Sequence, residues 1–383
     1  MLSLAISVAL LTQQEPPRLR TICNNGAAIM VERMADEPVI SVQLWASSRS
    51  VKETKDTHGW RHLMEHLVAR GQKNDLDKRL ESLGCYLRAR TFRDAMQFEI
   101  VVGQSQLKLA MSAIHELLQP LKVEQAQIDK EIAIMREEYA TYENPSRLAA
   151  GAWDQAYGES GLDPFGSLET MAKATPENLR ELHRKHFYPE NLVLTIAGPV
   201  DIKQATELAT ESIGMRQGAV KVPDSPLPAG KPGRIEIEGF GEGRAALVEG
   251  YDRPITVGSL AFALSIASGV EGSFVTYTPS QFRGLVIVGQ IEKQAGVGLK
   301  IDGTTDEDLP RLFQIGKILA RNWVERYLYS ASGVAYIRGL LLSQNIASRP
   351  EAMITAIEQL TFAQFKEAAQ NFSKERAVTV VGS

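Results

Sequence analysis

The chain has 383 residues, 44% of them hydrophobic and 23% charged, which is long enough for two domains with separate cores and too apolar for a disordered polypeptide. Its 42 basic and 46 acidic residues leave a net charge of −4, giving no global electrostatic reason for a nucleic-acid or anionic-membrane partner. The two cysteines, Cys23 and Cys85, form no CxxC pair, which excludes a thiolate zinc site and a disulfide framework.

Residues 2–11 form an apolar run too short to span a membrane, followed by a polar stretch to Pro17. Residues 1–15 therefore read as a short signal peptide and predict export to a periplasmic or extracellular compartment. No Lys or Arg precedes the run, so a frayed start on a cytoplasmic protein is the alternative. Residues 21–33 read as a hairpin turning at Asn24-Asn25-Gly26, and 39–46 as a third strand. Helical patterns cover 59–70 and 76–83, strands 85–91 and 96–102, and helices again 107–118 and 124–142. Strands interleaved with long helices predict α+β layers rather than a bundle. Segment 218–233, with Pro223, Pro226, Pro228 and Pro232, is the expected linker between a first domain (16–217) and a shortened second one (234–383). The halves echo each other: an apolar strand ending at Gly198 and another ending at Gly382 each follow a helix opened by a threonine, Thr175 or Thr361. Two unrelated helix–strand units are the alternative.

The segment Gly59-Trp60-Arg61-His62-Leu63-Met64-Glu65-His66 carries the chemistry. On a helix His62 and His66 project one turn apart from one face, so both imidazoles can bind one ion, with Glu65 beside them. In this H-x-x-E-H order the carboxylate can take a proton from water that a zinc ion has acidified. An exposed polar face is the alternative. His58 is read as a solvated residue ahead of the helix rather than a ligand, because Gly59 marks the helix start. A third ligand is expected from the helix holding Glu131 and Glu138, seven apart on one helical line, with Ile128, Ile132, Met135 and Tyr139 as an apolar stripe. Solvent-facing charges are the alternative for both glutamates.

These residues resemble the pitrilysin, insulin-degrading enzyme and mitochondrial processing peptidase family of inverted zincins, in which H-x-x-E-H is followed downstream by a Glu ligand with a second Glu seven residues before it. The resemblance continues through Asn24-Asn25-Gly26, Asp163-Pro164-Phe165-Gly166 and Tyr188-Pro189-Glu190-Asn191, and fades in the second half. It implies two related α/β sandwich domains, mostly antiparallel sheet with helices, that make half of a peptidase clamshell. It further implies a Zn2+ cofactor on His62, His66 and Glu138, with Glu137 as the rival third ligand. Glu65 would be the general base, Glu131 a second catalytic glutamate, and unfolded peptides the substrate. Family members add the peptide to an Asn-Ala-x-Thr edge strand, where this chain has Arg88-Ala89-Arg90-Thr91. Arg88 and Arg90 either favour acidic substrates or are surface charges. A substrate-holding Arg and Tyr of the family align with Ser280 and Ile287, which cannot do the same work, and Arg283 is an odd number of strand positions away. The resemblance thus implies a related second subunit supplying Arg and Tyr in a heterodimer, with a homodimer as alternative. Family members without the metal site give the rival function, a non-catalytic assembly subunit.

Overall fold

The computed structural model describes residues 18–48, 52–214, 227–280, 282–291, 301–344 and 349–383; the apolar start and residues 218–226 of the linker segment lie outside them. No helix among the described residues is long and apolar enough to cross a membrane.

Two sheets organise the chain. The first contains β1 (Arg18–Ile22), β2 (Ala28–Arg33), β3 (Val39–Ser47), β4 (Tyr86–Thr91), β5 (Ala95–Gly103) and β6 (Leu192–Gly198), in the order β1-β2-β6-β3-β5-β4. The second contains β7 (Gly233–Ile237), β8 (Glu242–Glu249), β9 (Ser273–Thr276), β10 (Arg283–Gln290) and β11 (Val378–Gly382), in the order β7-β11-β8-β10-β9. Without β1 the two orders are the same. In each sheet one pair is parallel, β2 with β6 and β7 with β11, and the remaining pairs are antiparallel. The chain is thus an α+β pair of related sandwiches. Thr175 and Thr361 do open the matching helices, each accepting a hydrogen bond from the backbone N–H three residues on.

Strand alternation sends Ile40, Val42, Leu44 and Ala46 of β3, with Met96, Phe98 and Ile100 of β5, into an apolar core shared with the first half's own helices. The opposite face, bearing Ser41, Gln43 and Trp45, is covered by a helix of the second half, Ala331–Ser343. There a Cβ on Gly339 would fall 2.1 Å from Trp45 Nε1, so only glycine allows the approach. Arg338 of this helix, fully buried, donates to Glu32 of β2 at 2.8 Å and to both oxygens of Glu351. The exchange is mutual: the first-half helix Asn144–Tyr157 packs Leu148, Ala152 and Ala156 onto Ala245, Ile287 and Val380 of the second sheet.

Candidate active site

The helix Trp60–Ala69 buries Leu63, Met64, Leu67 and Val68, which fixes His62 and His66 one turn apart on its other face. Its start is held from two sides. Gly59 caps it at φ 96°, a left-handed conformation suited to glycine. Glu53 accepts hydrogen bonds from the N–H groups of Gly59 and Arg61, both at 2.9 Å, placing an anion at the helix's unpaired donors. A Cβ on Gly166 would fall 2.1 Å from the Gly59 Cα, so the loop Asp163-Pro164-Phe165-Gly166 rests on the helix start. That contact sets the Phe165 carbonyl 3.0 Å from His62 Nδ1. Nδ1 then carries the proton and Nε2 keeps its lone pair for a metal.

His66 is oriented by a carboxylate instead. Its Nδ1 lies 3.3 Å from Glu131 Oε2, and Glu131 is gripped in turn by Arg70 Nε at 3.0 Å. Glu131 is buried behind His66, bridging it to Arg70. Two turns along the helix Gln125–Ala140, Glu138 Oε2 lies 3.8 Å from His62 Nε2 and 3.6 Å from His66 Nε2. Donor atoms of His62, His66 and Glu138 all lie within 4.8 Å of one another, a two-imidazole, one-carboxylate set that could hold a divalent cation and leave a position open. Glu137 is exposed. His58 is not the solvated residue expected from the sequence. Its Nε2 lies 2.9 Å from the Asp163 carbonyl oxygen and 3.6 Å from its carboxylate, because the Gly59 turn folds the ring onto the loop. Tyr139 also departs from expectation. It leaves the apolar stripe, is 39% exposed, and with Tyr142, Phe165 and Arg147 lines a cleft of about 430 Å³.

Burial, reinforced by the adjacent His66, lowers the His62 pKa to about 4. Burial pulls His66 the same way, but its hydrogen bonds to Glu131 and Glu138 prevail and raise it to about 9. In Glu131 burial is outweighed by His66 and Arg70, and its carboxyl falls to about 2. Glu138 is also lowered, first through its hydrogen bond with His66. Glu65 is buried beside the cluster, and burial raises it to about 7 although His66 and Thr91 act in the other direction. The Thr91 hydroxyl donates to Glu65 Oε2 at 2.7 Å.

Thr91 ends the edge strand β4. Leu87, Ala89 and Thr91 face the histidine helix, whereas Arg88 and Arg90 face the other side of the sheet. Arg88 is tied to Glu99 at 2.5 Å, while Arg90 makes no ion pair among the described residues. In the second half Ile287 is buried under Asn144–Tyr157, and Arg283 is paired with Glu249 at 2.9 Å. Sequence reasoning missed Glu53, Arg70 and the Phe165 carbonyl. Arg70 carried a signal, four residues after His66 on one helical face; a backbone carbonyl carries none.

The chain matches the insulinase family, peptidase family M16, over residues 24–160, and the inactive domain of peptidase M16 over residues 173–269. An uncharacterized zinc protease of Streptomyces coelicolor is 24% identical over 230 residues, covering 58% of this chain and 50% of that protein. Human cytochrome b-c1 complex subunit 1 is 26% identical over 202 residues (51% and 42%), and the mitochondrial-processing peptidase subunit beta of Dictyostelium discoideum 26% over 202 (50% and 42%). These matches span about half the length of the curated relatives. The fold is shared with a Helicobacter pylori protease at TM-score 0.80 and 17% identity, covering 96% of this chain and 100% of that one. The periplasmic protease PqqL of Escherichia coli superposes at TM-score 0.70 and 14% identity, over 97% of this chain but 48% of that one. With residues 24–160 and 173–269 matched to its two domains, this chain belongs to peptidase family M16.

Proposed function

We propose that the chain is a zinc-dependent endopeptidase acting on unfolded peptides or small polypeptides. The observation that carries this reading is the convergence of His62, His66 and Glu138 beside the buried carboxylate of Glu65. His62 and His66 would hold the metal through Nε2, their Nδ1 atoms being engaged by Phe165 and Glu131, and Glu138 would add an oxygen. Zinc, when bound there, supplies Lewis acidity, polarising the scissile carbonyl and making water a stronger acid. The remaining work falls to the chain. Glu65 is placed to accept a proton from the attacking water and return it to the leaving amine, while Thr91 holds one of its oxygens. β4 pairs only with β5 among the described strands, so its outer edge offers backbone donors and acceptors to an extended peptide.

A related second chain would close the chamber and supply the Arg and Tyr for which Ser280 and Ile287 are poor substitutes, with a second copy of this chain as the alternative. Similarity to a cytochrome b-c1 complex subunit favours a second reading, a non-catalytic assembly subunit. One experiment separates the two. The purified chain should carry about one zinc per molecule by mass spectrometry and cleave an unstructured peptide, alone or with its partner. Glu65→Gln should keep the zinc and lose hydrolysis by about 10²–10⁴-fold, because an amide cannot take the proton. A wild-type chain without bound zinc supports the assembly reading, and retained turnover in Glu65→Gln removes Glu65 as the base.

A further inference from the structure

We propose that Glu99 and Arg88 form a clamp that holds edge strand β4 in the register needed to receive a peptide, making Glu99 a positioning residue for substrate binding. The substrate in this inference rests on the peptidase reading; the clamp itself does not. β4 has β5 as its one neighbour among the described strands, and a strand with one partner opens more readily than a central one. It is pinned on both faces. Toward the histidine helix, Thr91 donates to Glu65. On the opposite face, Arg88 Nη2 lies 2.5 Å from Glu99 Oε2.

Glu99 is 1% exposed. Its other oxygen accepts from Ser41 Oγ at 3.1 Å and Gln43 Nε2 at 3.0 Å. Gln43 Nε2 also donates to the Ser332 carbonyl at 2.9 Å, and Gln97 donates to Gln43 Oε1 at 2.6 Å. A hydrogen-bonded path thus runs from the sheet's edge to the helix Ala331–Ser343 of the second half.

The position of the countercharge decides between a local stabilising network and a clamp. A carboxylate removed from water needs a cation as well as hydrogen bonds. Ser41 and Gln43 satisfy oxygen lone pairs, but the cation that reaches Glu99 among the described residues belongs to β4. Glu99 is therefore compensated only while Arg88 stands opposite it, as the register has it. A slip of one residue would turn every β4 side chain to the other face, taking Thr91 away from Glu65. The buried charge thus keeps the strand that would receive the peptide in phase with the carboxylate that would act on it.

The test uses the full zinc-loaded chain with Glu99→Gln, Arg88→Met and Arg88→Lys. Amide hydrogen exchange is read strand by strand, and the affinity for an unstructured peptide is read by fluorescence anisotropy in a Glu65→Gln background, where no turnover interferes. Expected are exchange in β4 faster by about tenfold with the central strands unchanged, and peptide binding weaker by about tenfold. Zinc content should stay at the parent level, and Arg88→Lys should recover most of the loss. In the cleaving chain KM should rise more than kcat falls. Should Glu99→Gln fail to fold, Arg88→Met carries the test, since that side chain is 39% exposed. Unchanged β4 exchange overturns the clamp whatever the peptidase result, and so does a stability loss spread over the whole sheet with peptide affinity intact. Faster β4 exchange in a chain whose wild type hydrolyses no peptide, alone or with its partner, supports the clamp and sinks the peptidase reading instead.

Discussion

In the first sheet the helix that follows β3, Trp60–Ala69, keeps one face free of core packing and carries His62, Glu65 and His66. In the second, Pro254–Ala267 follows β8 at the same point of the strand order and is apolar nearly all round. Leu309–Glu325 and Phe362–Gln370 pack over it, so Val257, Leu260, Phe262 and Ile266 are all buried. A helix buried on every side has no face left for reactive groups. The edge strands differ in the same sense. β4 brings Thr91 to Glu65, whereas β9 is the four-residue strand Ser273–Thr276 without a charged side chain. The fold is duplicated and the cluster is not: one helix of the pair turns His62, Glu65 and His66 to polar neighbours, whereas its counterpart is enclosed in apolar packing.

The sharpest way to break this comparison is to remove the donors. His62→Ala, His66→Ala and Glu138→Gln should each abolish tight zinc binding while leaving the folded state in place, because each loses one of three protein ligands and the second half offers no replacement cluster among the described residues. Metal analysis after dialysis checks this. A full equivalent of zinc in all three variants would place the metal elsewhere and end the division of labour between the halves.

A smaller effect tests how the halves are joined. Arg338→Met should destabilise the fold by about 3–5 kcal/mol, since it leaves the buried Glu32 carboxylate without its partner. Denaturant unfolding measures it, and a change below about 1 kcal/mol would mean that the helix exchange does not depend on this ion pair. The same fork governs acid stability. Burial works against the Glu351 charge, but Arg338 prevails and its carboxyl falls to about 2. Folded Glu351 therefore binds fewer protons than the unfolded chain between its ordinary carboxylate range and about pH 2. The stabilisation is complete above that window and is lost as pH falls through it. Glu351→Gln should flatten this part of the acid unfolding curve.

Behind the ligands, Glu131→Gln should weaken zinc binding by about 10–100-fold without abolishing it, because the amide still reaches His66 Nδ1 but no longer carries the charge that Arg70 and His66 share. Competition with a chelator of known affinity gives the number. Unaltered affinity would show that the orientation of His66 is set by the helix alone.

Much of this was legible because it is local. The hairpin at Asn24-Asn25-Gly26, the H-x-x-E-H helix, and Glu131 and Glu138 on one helical line are properties of neighbouring residues, and backbone periodicity carries them into space unchanged. The exchange of helices was not legible. Leu148, Ala152 and Ala156 announce a buried helical face, but a pattern of burial does not say whose sheet buries it. Nor was the polar layer. Ser41, Gln43, Gln97 and Glu99 alternate with apolar residues just as a solvated face does, and only the helix Ala331–Ser343 above them turns that face into an interior. The same blindness affected Arg88 and Arg90, alike in sequence and unlike in partners.

That last difference supports the finest prediction. If a peptide adds to β4 as a strand, its side chains alternate between the two faces of the sheet, and those on the Ala331–Ser343 side pass Arg88 and Arg90. Arg88 has its charge matched by Glu99, so an acidic substrate side chain would have to compete with a buried carboxylate already 2.5 Å away. Arg90 has no such partner among the described residues and is the cation free to meet one. Arg90→Glu should therefore shift a peptide-library profile away from acidic residues by a few-fold, the scale of a half-exposed ion pair of about 1 kcal/mol or less. Added salt should shrink the preference in the wild type. Arg88→Glu should act differently, slowing cleavage of acidic and neutral peptides alike, because two carboxylates would then face each other and loosen the strand. A profile that Arg88→Glu changes and Arg90→Glu leaves alone would reverse the assignment, and with it the view that only the unpaired arginine selects substrate.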